Sequence, residues 1–532
     1  MTREEGTRGD LRFGTIAQLP WLAAERYADA PAVVDGDAQL SFRELAVQSQ
    51  HLAKALIASG IEHGDRISIW APNMLEWIVA ALGAQAVGAV LVPINTRYKG
   101  LEAGFLLKKS EARVLFTVTD FLDTDYVALL REVRRELPRL QDLVVLRGAA
   151  TGGSLTLQAF LERGRDVSDE EAAARRDAVR SGDLSDILFT SGTTGEPKGG
   201  MCSHAQSLRA FHDWSDIVGL RAGDRYLVVA PFFHSFGYKA GWLAALMMGA
   251  TVYPQPVFDV TQVLERIGRE RITVLPGPPA LYQTILARPD LDQFDLSSLR
   301  LAVTGAASIP VELINRMRDV LKFENVVTAY GLTETSGVVS ICRPGDSAER
   351  IANTSGRAFP GVEVAVVGAE GQTLGPGEPG EIIVRGYNVM KGYFGEPEQT
   401  RASIDGDGWV HTGDIGTMDE AGYVQITDRM KDMFIVGGFN AYPAEIENIL
   451  STHEAIAQVA VVGMPDERLG EVGAAFVVLK PGAELSADEL IAWSRDQMAN
   501  FKVPRRVELV EALPVNATGK VLKYELRKRL AD

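Results

Sequence analysis

Short apolar segments alternate with longer helical segments through the first four hundred residues, and this alternation constrains the fold most strongly. The segments RISIWAP at 66–72, VLVPIN at 90–95 and RVLFTV at 113–118 are rich in β-branched residues, whereas 74–88 has the length and spacing of a helix. Strands that alternate with helices favour parallel α/β layers over an all-α or all-β fold. At 532 residues, the chain is also too long for one compact core and suits two or more domains.

The pattern of predicted strands and helices changes twice further along the chain. From Gly356 to Val424, short β-like pieces are separated by glycine and proline, which indicates a small β-rich sheet or barrel-like subdomain at about 356–427. Beyond Asp428 a compact α/β pattern returns. We therefore predict an N-terminal domain of residues 1–428 and a small C-terminal α+β domain of residues 429–532.

The composition argues against several classes of protein. An apolar content of 46% and an aromatic content of 8% are typical of a globular chain. The net charge of −16 argues against sequence-independent binding to nucleic acid or to an anionic membrane. Cys202 and Cys342 have neither metal-ligand spacing nor a disulfide framework, which favours a reducing, cytoplasmic location. The N-terminal residues lack the apolar core of a signal peptide.

The stretch WIVAALGAQAVGAVLVPI at 77–94 is nearly long enough to span a membrane. Gln85 interrupts it, and Pro93 follows a β-branched run. A small-residue helix followed by a buried strand is therefore the better interpretation, and we predict no transmembrane segment.

A string rich in glycine and threonine, TSGTTGEPKG at 190–199, follows the apolar strand end SDILF at 185–189. Glycine lets the backbone approach a phosphate closely, and successive amides in such a turn form an anion site to which Lys198 adds charge. Lys198 is followed by Gly199 rather than Ser or Thr, so the string is not the P-loop of nucleoside triphosphatases. A flexible polar surface loop is the alternative for this composition alone.

The order of residues in this string resembles the signature loop of the adenylate-forming enzymes, and the chain looks like an acyl-CoA synthetase of that superfamily. Three further strings support the resemblance: TAYGLTET at 328–335, WVHTGDIG at 409–416 and LPVNATGK at 513–520. The resemblance covers nearly the whole chain, and it implies a large domain of layered α/β sheets with a β-rich subdomain and a mobile C-terminal lid. One departure is Gly200, where a β-branched residue is usual; we expect it to loosen the end of the loop.

The resemblance implies a set of residues that bind ATP and AMP. Tyr330 would stack on the adenine, Thr333 would contact the phosphate, and Glu334 would hold Mg²⁺, which prefers hard oxygen ligands. Asp414 would accept the ribose hydroxyls, because an ionised carboxylate carries acceptors only. Outside such strings, a surface carboxylate or a turn-forming aspartate would be the default interpretation. The remaining members of the set are Thr190, Ser191, Gly192, Thr193, Thr194, Gly195, Lys198, Gly305, Ala306, Ala307, Gly331, Ile426, Arg429 and Lys520.

Two lysines take separate catalytic roles in the resemblance. Lys520 would bridge the substrate carboxylate and the α-phosphate, and its charge would offset the repulsion between these two anions. Lys431 would be the hinge about which the C-terminal domain rotates between two half-reactions, with an ordinary solvated lysine as the alternative. The other catalytic residues are expected to be Thr190, Glu334 and His234.

The string PFFHSFGYKAGW at 231–242 is expected to form the carboxylic acid site. His234 matches a gating position beside the reacting carboxylate. We assign it a positional role because carboxylates are already ionised at neutral pH, and a purely structural histidine is the alternative. Gly237 and Gly241 are expected to make space for a bulky ring. The remaining acyl-binding residues are Tyr238, Ala329 and Gly331.

The string GGFNAYPAEIE at 437–447 is expected to face the site in the second half-reaction. There, Gly437 and Gly438 would let the pantetheine arm of coenzyme A pass along the backbone. Phe439 and Lys431 complete the predicted coenzyme A set.

The implied reaction has two steps. A small-molecule carboxylic acid and MgATP give acyl-adenylate and pyrophosphate, and coenzyme A then displaces AMP. The strings FFHSFGYKAGW, RITVLPGPPALYQ and ANFKVPRRV resemble the actinobacterial ligases that activate propanoate side chains on partly degraded steroid rings. A bulky polycyclic acid, derived from a steroid or terpenoid, is therefore expected.

Several alternatives remain open at this point. The acid could instead be a medium- or long-chain fatty acid, and the acyl group could pass to a carrier protein or to a separate acyltransferase. A nucleotide-binding regulator without catalysis is disfavoured, because Lys520, Glu334 and the phosphate loop are all present. The sequence leaves open whether the protein is a homodimer.

Overall fold

The structure, a computed structural model, describes residues 8–190, 196–305, 309–429, 433–514 and 521–531. Its internal contacts divide the chain into two compact units. Unit 1 comprises residues 1–96, 107–188 and 200–427, and unit 2 comprises residues 97–106, 189–199 and 428–532. Unit 2 therefore contains two segments from earlier in the sequence in addition to the C-terminal residues.

The helices and strands follow the alternation seen in the sequence. In chain order, the strands of the described residues are β1 Pro31–Asp35, β2 Ala38–Ser41, β3 Arg66–Trp70, β4 Val90–Pro93, β5 Val114–Val118, β6 Asp142–Arg147, β7 Leu155–Thr156, β8 Leu184–Thr190, β9 Lys198–Ser203, β10 Arg225–Val228, β11 Thr251–Pro254, β12 Leu301–Gly305, β13 Asn325–Tyr330, β14 Ser340–Ile341, β15 Arg357–Ala358, β16 Val362–Val367, β17 Gly380–Gly386, β18 Val410–Met418, β19 Val424–Arg429, β20 Phe434–Val436, β21 Phe439–Ala441, β22 Ile456–Asp466, β23 Gly470–Leu479 and β24 Arg506–Leu509. The α-helices are α1 Gly9–Phe13, α2 Leu19–Tyr27, α3 Phe42–Ala58, α4 Leu75–Ala86, α5 Gly100–Ser110, α6 Tyr126–Leu129, α7 Leu157–Glu162, α8 Asp169–Ala178, α9 His204–Val218, α10 Ala244–Met248, α11 Val260–Glu270, α12 Pro279–Leu286, α13 Val311–Asp319, α14 Ala348–Asn353, α15 Pro397–Ser403, α16 Pro443–Leu450, α17 Ala487–Gln497 and α18 Lys523–Ala531.

The first predicted strands lie in a sheet of order β7-β6-β5-β3-β4-β8-β9, in which the strands from β7 to β8 pair in parallel. Nearly every residue of α4 is buried, which explains its almost uninterrupted apolar sequence. The interpretation of 77–94 as a helix followed by a buried strand is confirmed by α4 and β4. Within the described ranges, the helices are too short or too polar to cross a lipid bilayer.

Three more sheets belong to unit 1. The sheets of order β10-β11-β1-β2 and β12-β13-β14-β15 combine parallel and antiparallel pairs. β12 and β13 run parallel with Gly305 opposite Ala329, so their carboxyl ends meet at one sheet edge. The sheet β16-β17-β18-β19 occupies the region predicted to be β-rich.

Unit 2 contains the sheet of order β21-β20-β23-β22, and β24 pairs with β23. One apolar cluster includes Phe434, Ile446 and Val461, and a second includes Phe476 and Leu526. The predicted fold class of layered α/β sheets, a β-rich subdomain and a small C-terminal α+β domain is confirmed.

A fully buried lysine links three segments within unit 2. Nζ of Lys502 lies 2.7 Å from Oε1 of Glu102 in α5 and 2.5 Å from Oε1 of Glu445 in α16. The same Nζ lies 4.2 Å from the centroid of the Tyr98 ring, a cation–π contact. Burial alone would lower the pKa of Lys502, but Tyr98 and the two carboxylates raise it. Burial in turn raises the pKa of Glu102.

Candidate active site

The end of β13 and the middle of β18 bring two predicted nucleotide-binding side chains together. Oη of Tyr330 donates a hydrogen bond to Oδ2 of Asp414 at 2.5 Å, and both residues are buried. The backbone amide of Asp414 donates to Oγ1 of Thr412 at 3.1 Å, which fixes the strand at this point. Because a carboxylate offers about four lone-pair sites, Asp414 can accept from more than one donor at once.

Glu334 lies in the 3-10 turn Thr333–Thr335, which follows β13. Oη of Tyr393 donates to Oε1 of Glu334 at 2.6 Å, and the amide of Met390 donates to the Glu334 carbonyl at 2.9 Å. These two bonds fix both the carboxylate and its backbone. Sequence reasoning did not identify Tyr393, because a tyrosine in a glycine-rich segment carries no specific signal.

Gly200 lies in β9 and faces the turn that holds Glu334. A Cβ atom at Gly200 would lie 2.9 Å from Cγ2 of Thr333. The neighbouring Met201 exchanges backbone hydrogen bonds with Lys391 and Gly392, at 2.8 and 3.0 Å. The missing side chain thus permits close packing of β9 on Thr333, which corrects the expectation that Gly200 loosens this part of the chain.

The carboxyl ends of β12 and β13 carry three further predicted residues. Gly305 and Ala329 are paired in the sheet register, and both are half-buried. Gly331 follows β13, and a Cβ atom there would lie 2.1 Å from the Gly337 carbonyl oxygen. The backbone can therefore turn tightly at this edge only with glycine at that position.

A further predicted nucleotide-binding residue of unit 1, Ile426, lies half-buried in β19.

Thr190 and Lys198 lie on either side of the predicted phosphate loop, within unit 2. Oγ1 of Thr190 lies 3.5 Å from the Lys198 carbonyl oxygen, and the Lys198 side chain is buried. The structure thus brings the two ends of the loop together. Other predicted site residues lie outside the described residues: Ser191, Gly192, Thr193, Thr194, Gly195, Ala306, Ala307, Lys431 and Lys520. For Arg429, the structure describes the backbone in β19.

His234 lies in the loop between β10 and the π-helix Phe236–Leu243. The amide of Phe236 donates to Nδ1 of His234 at 3.2 Å, so a neutral ring carries its proton on Nε2. The surrounding protein lowers the pKa of His234, which is therefore neutral at pH 7, although its ring remains accessible to solvent.

The structure shows close packing at Gly237 and Gly241. A Cβ atom at Gly237 would lie 2.2 Å from the Pro231 carbonyl oxygen, and one at Gly241 would lie 2.9 Å from Cγ1 of Val228. These glycines let the π-helix pack closely on its surroundings, and the expectation that they make space for the acid stays a prediction. Tyr238 is fully buried and stacks on Trp242 with 4.9 Å between ring centroids, so its side chain offers no surface to a ligand in this structure.

The predicted coenzyme A segment forms a hairpin within unit 2. Gly437 and Gly438 connect β20 and β21 with φ angles of 56° and 88°, as the tightest hairpin turns require. Both glycines are exposed, and Phe439 stacks on Phe501 with 4.9 Å between ring centroids. The hairpin thus presents accessible backbone beside a fixed aromatic pair.

The residues that flank Lys520 are held to the rest of unit 2. The amide of Leu522 donates to the Pro514 carbonyl at 2.8 Å. Nζ of Lys523 lies 2.7 Å from Oε1 of Glu447, which also accepts from the Val461 amide at 2.7 Å. The two flanks of the segment that carries Lys520 are therefore bonded to each other, and the C-terminal flank is also bonded to Glu447.

Sequence comparisons give one family for most of the chain. The family model described as "AMP-binding enzyme" matches residues 21–394, and that described as "AMP-binding enzyme C-terminal domain" matches residues 445–520. The chain is 47% identical over 509 residues to "3-[(3aS,4S,7aS)-7a-methyl-1,5-dioxo-octahydro-1H-inden-4-yl]propanoyl:CoA ligase" of Rhodococcus jostii (strain RHA1), covering 95% of this chain and 97% of that protein. It is 48% identical over 513 residues to the protein of the same name from Mycobacterium tuberculosis, covering 96% and 97%.

A solved structure is similar over the whole length. The amide bond synthetase McbA from Marinactinospora thermotolerans superimposes with a TM-score of 0.84 at 29% identity, covering 97% of this chain and 99% of that one.

Proposed function

The chain belongs to the AMP-binding enzyme family as an AMP-forming acid–CoA ligase that uses ATP and coenzyme A, and we propose that its substrate is a bulky polycyclic carboxylic acid derived from a steroid or terpenoid. The observation that supports this substrate class is the 47–48% identity, over nearly the full length, to two ligases named for a dioxo-octahydroindenyl propanoyl group. A fatty acid remains the alternative substrate.

In the first step, the substrate carboxylate attacks the α-phosphate of ATP and pyrophosphate leaves. Tyr330 stacks on the adenine in this proposal, and Asp414 accepts the ribose hydroxyls. Thr190, Lys198 and Thr333 hold the phosphates. Lys520 supplies a positive charge as the two anions approach, where preorganised charge is most effective.

Glu334 is the residue that would hold Mg²⁺. One carboxylate is sufficient, because protein-bound Mg²⁺ typically takes one or two carboxylates together with phosphate oxygens and water. The hydrogen bond from Tyr393 at 2.6 Å orients the carboxylate before the metal binds. A bound Mg²⁺ would neutralise phosphate charge.

His234 contributes as a neutral donor. Its Nδ1 is occupied by the Phe236 amide, so Nε2–H can donate to the substrate carboxylate and orient it. This role needs no proton transfer, since the acid is already ionised at neutral pH.

In the second step, the C-terminal domain rotates about Lys431 and coenzyme A displaces AMP. The exposed hairpin of Gly437, Gly438 and Phe439 would then guide the pantetheine arm. Transfer to a carrier protein or to a separate acyltransferase, and assembly as a homodimer, stay predictions.

The substrate class is tested with a panel of acids. We expect kcat/KM for the best polycyclic propanoic acid to exceed that for any linear C8–C16 acid by about tenfold or more, as differences of a few methylene groups in an apolar site allow. Pyrophosphate release would be measured for each acid, and thioester formation with free coenzyme A and with a phosphopantetheinylated carrier protein. Faster turnover of linear acids would contradict the substrate class. Thioester formation on the carrier protein alone would show that the acyl acceptor is the carrier and not free coenzyme A.

The ribose contact is tested with the substitution Asp414→Asn. We expect KM for ATP to rise by about tenfold to a hundredfold, because hydrogen bonds to a charged acceptor contribute about 1.5–3 kcal/mol. Initial rates would be measured against ATP at saturating acid. Tyr330→Phe is the matched control, since it removes the hydroxyl that binds Asp414 and keeps the carboxylate. An unchanged KM in Asp414→Asn would exclude the ribose contact.

A further inference from the structure

A second fully buried ion pair lies in unit 1, next to the segment that carries His234. Nζ of Lys239 lies 2.9 Å from Oδ1 of Asp186, and neither side chain is exposed. Lys239 belongs to the π-helix Phe236–Leu243, and Asp186 lies in β8. Neither has a role in the reaction described above.

The pair joins elements that meet at the predicted site. Oγ of Ser185 donates to Oδ2 of Asp186 at 2.7 Å and lies 3.2 Å from the Cys202 carbonyl oxygen. Sγ of Cys202 lies 3.3 Å from Oγ of Ser336, the residue that follows the turn of Glu334. A continuous chain of contacts therefore runs from the π-helix through β8 and β9 to that turn.

The π-helix is tied directly to His234. The amide of Tyr238 donates to the His234 carbonyl at 2.9 Å. Oη of Tyr226 donates to the Ala240 carbonyl at 3.0 Å, and Nε2 of Gln85 donates to Oη of Tyr238 at 2.8 Å. π-Helices are rare in proteins and are often found at functional sites, and these bonds hold this one to its neighbours.

Stability alone does not explain a charged pair at this place. Well-packed apolar residues of similar volume often replace a buried ion pair without loss of stability. Burial alone would lower the pKa of Lys239, but Asp186 and Cys202 raise it, so the lysine stays charged at neutral pH. The contact between the two buried opposite charges holds the π-helix against β8, because separating them would leave two unpaired charges away from water.

We propose that the Lys239–Asp186 pair positions the carboxylic acid site, by fixing the π-helix and hence His234 relative to the turn of Glu334. This inference rests on the proposed function and adds specificity-determining residues to it. Both act as positioning residues, because their buried side chains cannot touch the acid in this structure.

The test uses the double variant Asp186→Asn/Lys239→Met, which removes both charges and leaves no unpaired ion. The full-length protein would be assayed for kcat and for KM of the acid and of ATP separately. The matched control is Asp224→Asn/Arg300→Met, which removes another buried pair of unit 1, in which Nε of Arg300 donates to Oδ1 of Asp224 at 2.8 Å. The single variant Lys239→Met, which leaves Asp186 unpaired, would be followed by thermal unfolding.

We expect KM for the acid to rise by about tenfold or more in the first double variant, since small misplacements of positioning groups cost up to about a hundredfold. KM for ATP should change less than about twofold, and the preference for polycyclic over linear acids should fall. Equal changes in both KM values, or the same pattern in the control pair, would overturn the positioning role. No turnover of any acid by the unsubstituted protein would overturn the proposed function itself, and this inference with it.

Discussion

Replacing Lys520 with alanine is expected to slow adenylate formation by about a hundred- to a thousandfold. Loss of one preorganised charge-stabilising group at a developing anion typically has an effect of that size, about 2.7–4 kcal/mol. The carboxylate and the α-phosphate repel one another as they approach, and no other residue near the C-terminus was predicted to offset this repulsion. Acid-dependent pyrophosphate release, measured at saturating ATP, gives the rate directly.

The second half-reaction should survive the same substitution. If Lys520 acts in the first step alone, preformed acyl-adenylate and coenzyme A should still give thioester at a rate within about tenfold of the unsubstituted enzyme. Lys523→Ala is a matched control, because it removes a lysine three residues away that is paired with Glu447 at 2.7 Å. Equal losses in both steps would argue against separate arrangements of the C-terminal domain for the two steps.

Replacing Lys502 with methionine is expected to reduce the free energy of unfolding by about 3–5 kcal/mol, the usual effect of removing one partner from a buried ion pair. Glu102 and Glu445 would be left as two buried carboxylates without a cation. Urea-induced unfolding, followed by tryptophan fluorescence, measures the change; Trp493 packs against the core of unit 2 and reports on it.

The effect of Lys502→Met should depend on pH. Burial raises the pKa of Glu102 in the folded state, so the folded protein binds that proton more tightly than the unfolded chain does. At low pH this carboxyl therefore does not reduce the free energy of unfolding. The free energy of unfolding falls as the pH rises through the folded pKa of Glu102, and loss of the lysine enlarges this fall. The deficit in unfolding free energy should therefore be smaller near about pH 5 than near about pH 8.

A triple variant provides the control for this prediction. Adding Glu102→Gln and Glu445→Gln to Lys502→Met removes every charge of the cluster and should recover much of the lost stability. A loss that is independent of pH, or that the triple variant does not reduce, would mean that packing of the lysine stem and not its charge is responsible.

The order of strands and helices could be predicted where burial alone sets the pattern. β3, β4, β5 and α4 fall within the segments chosen from apolar runs and helical spacing, because each is buried by a neighbouring layer. The strings that name the family are also local in sequence, since a turn that holds a phosphate or a metal must place several residues in a fixed order.

The structural roles of several individual residues could not be predicted from the sequence, because they depend on contacts between distant segments. Gly200 and Gly237 are needed for packing on Thr333 and on the Pro231 carbonyl, and a glycine gives no indication of what approaches it. Tyr393 orients Glu334 from 59 positions away. Such contacts depend on which strands become neighbours.

The sequence by itself determined the layered α/β class and the enzyme family, because apolar periodicity and short ordered strings act over a few residues. The tertiary structure decided which oppositely charged side chains pair in the interior of the protein. The sequence around Lys239 and around Lys502 holds no acidic partner for either lysine. Their partners lie 53 and at least 57 positions away, at Asp186 for Lys239 and at Glu445 and Glu102 for Lys502. A charge can be buried only where folding brings its counter-charge within contact, and that pairing is a property of the assembled chain.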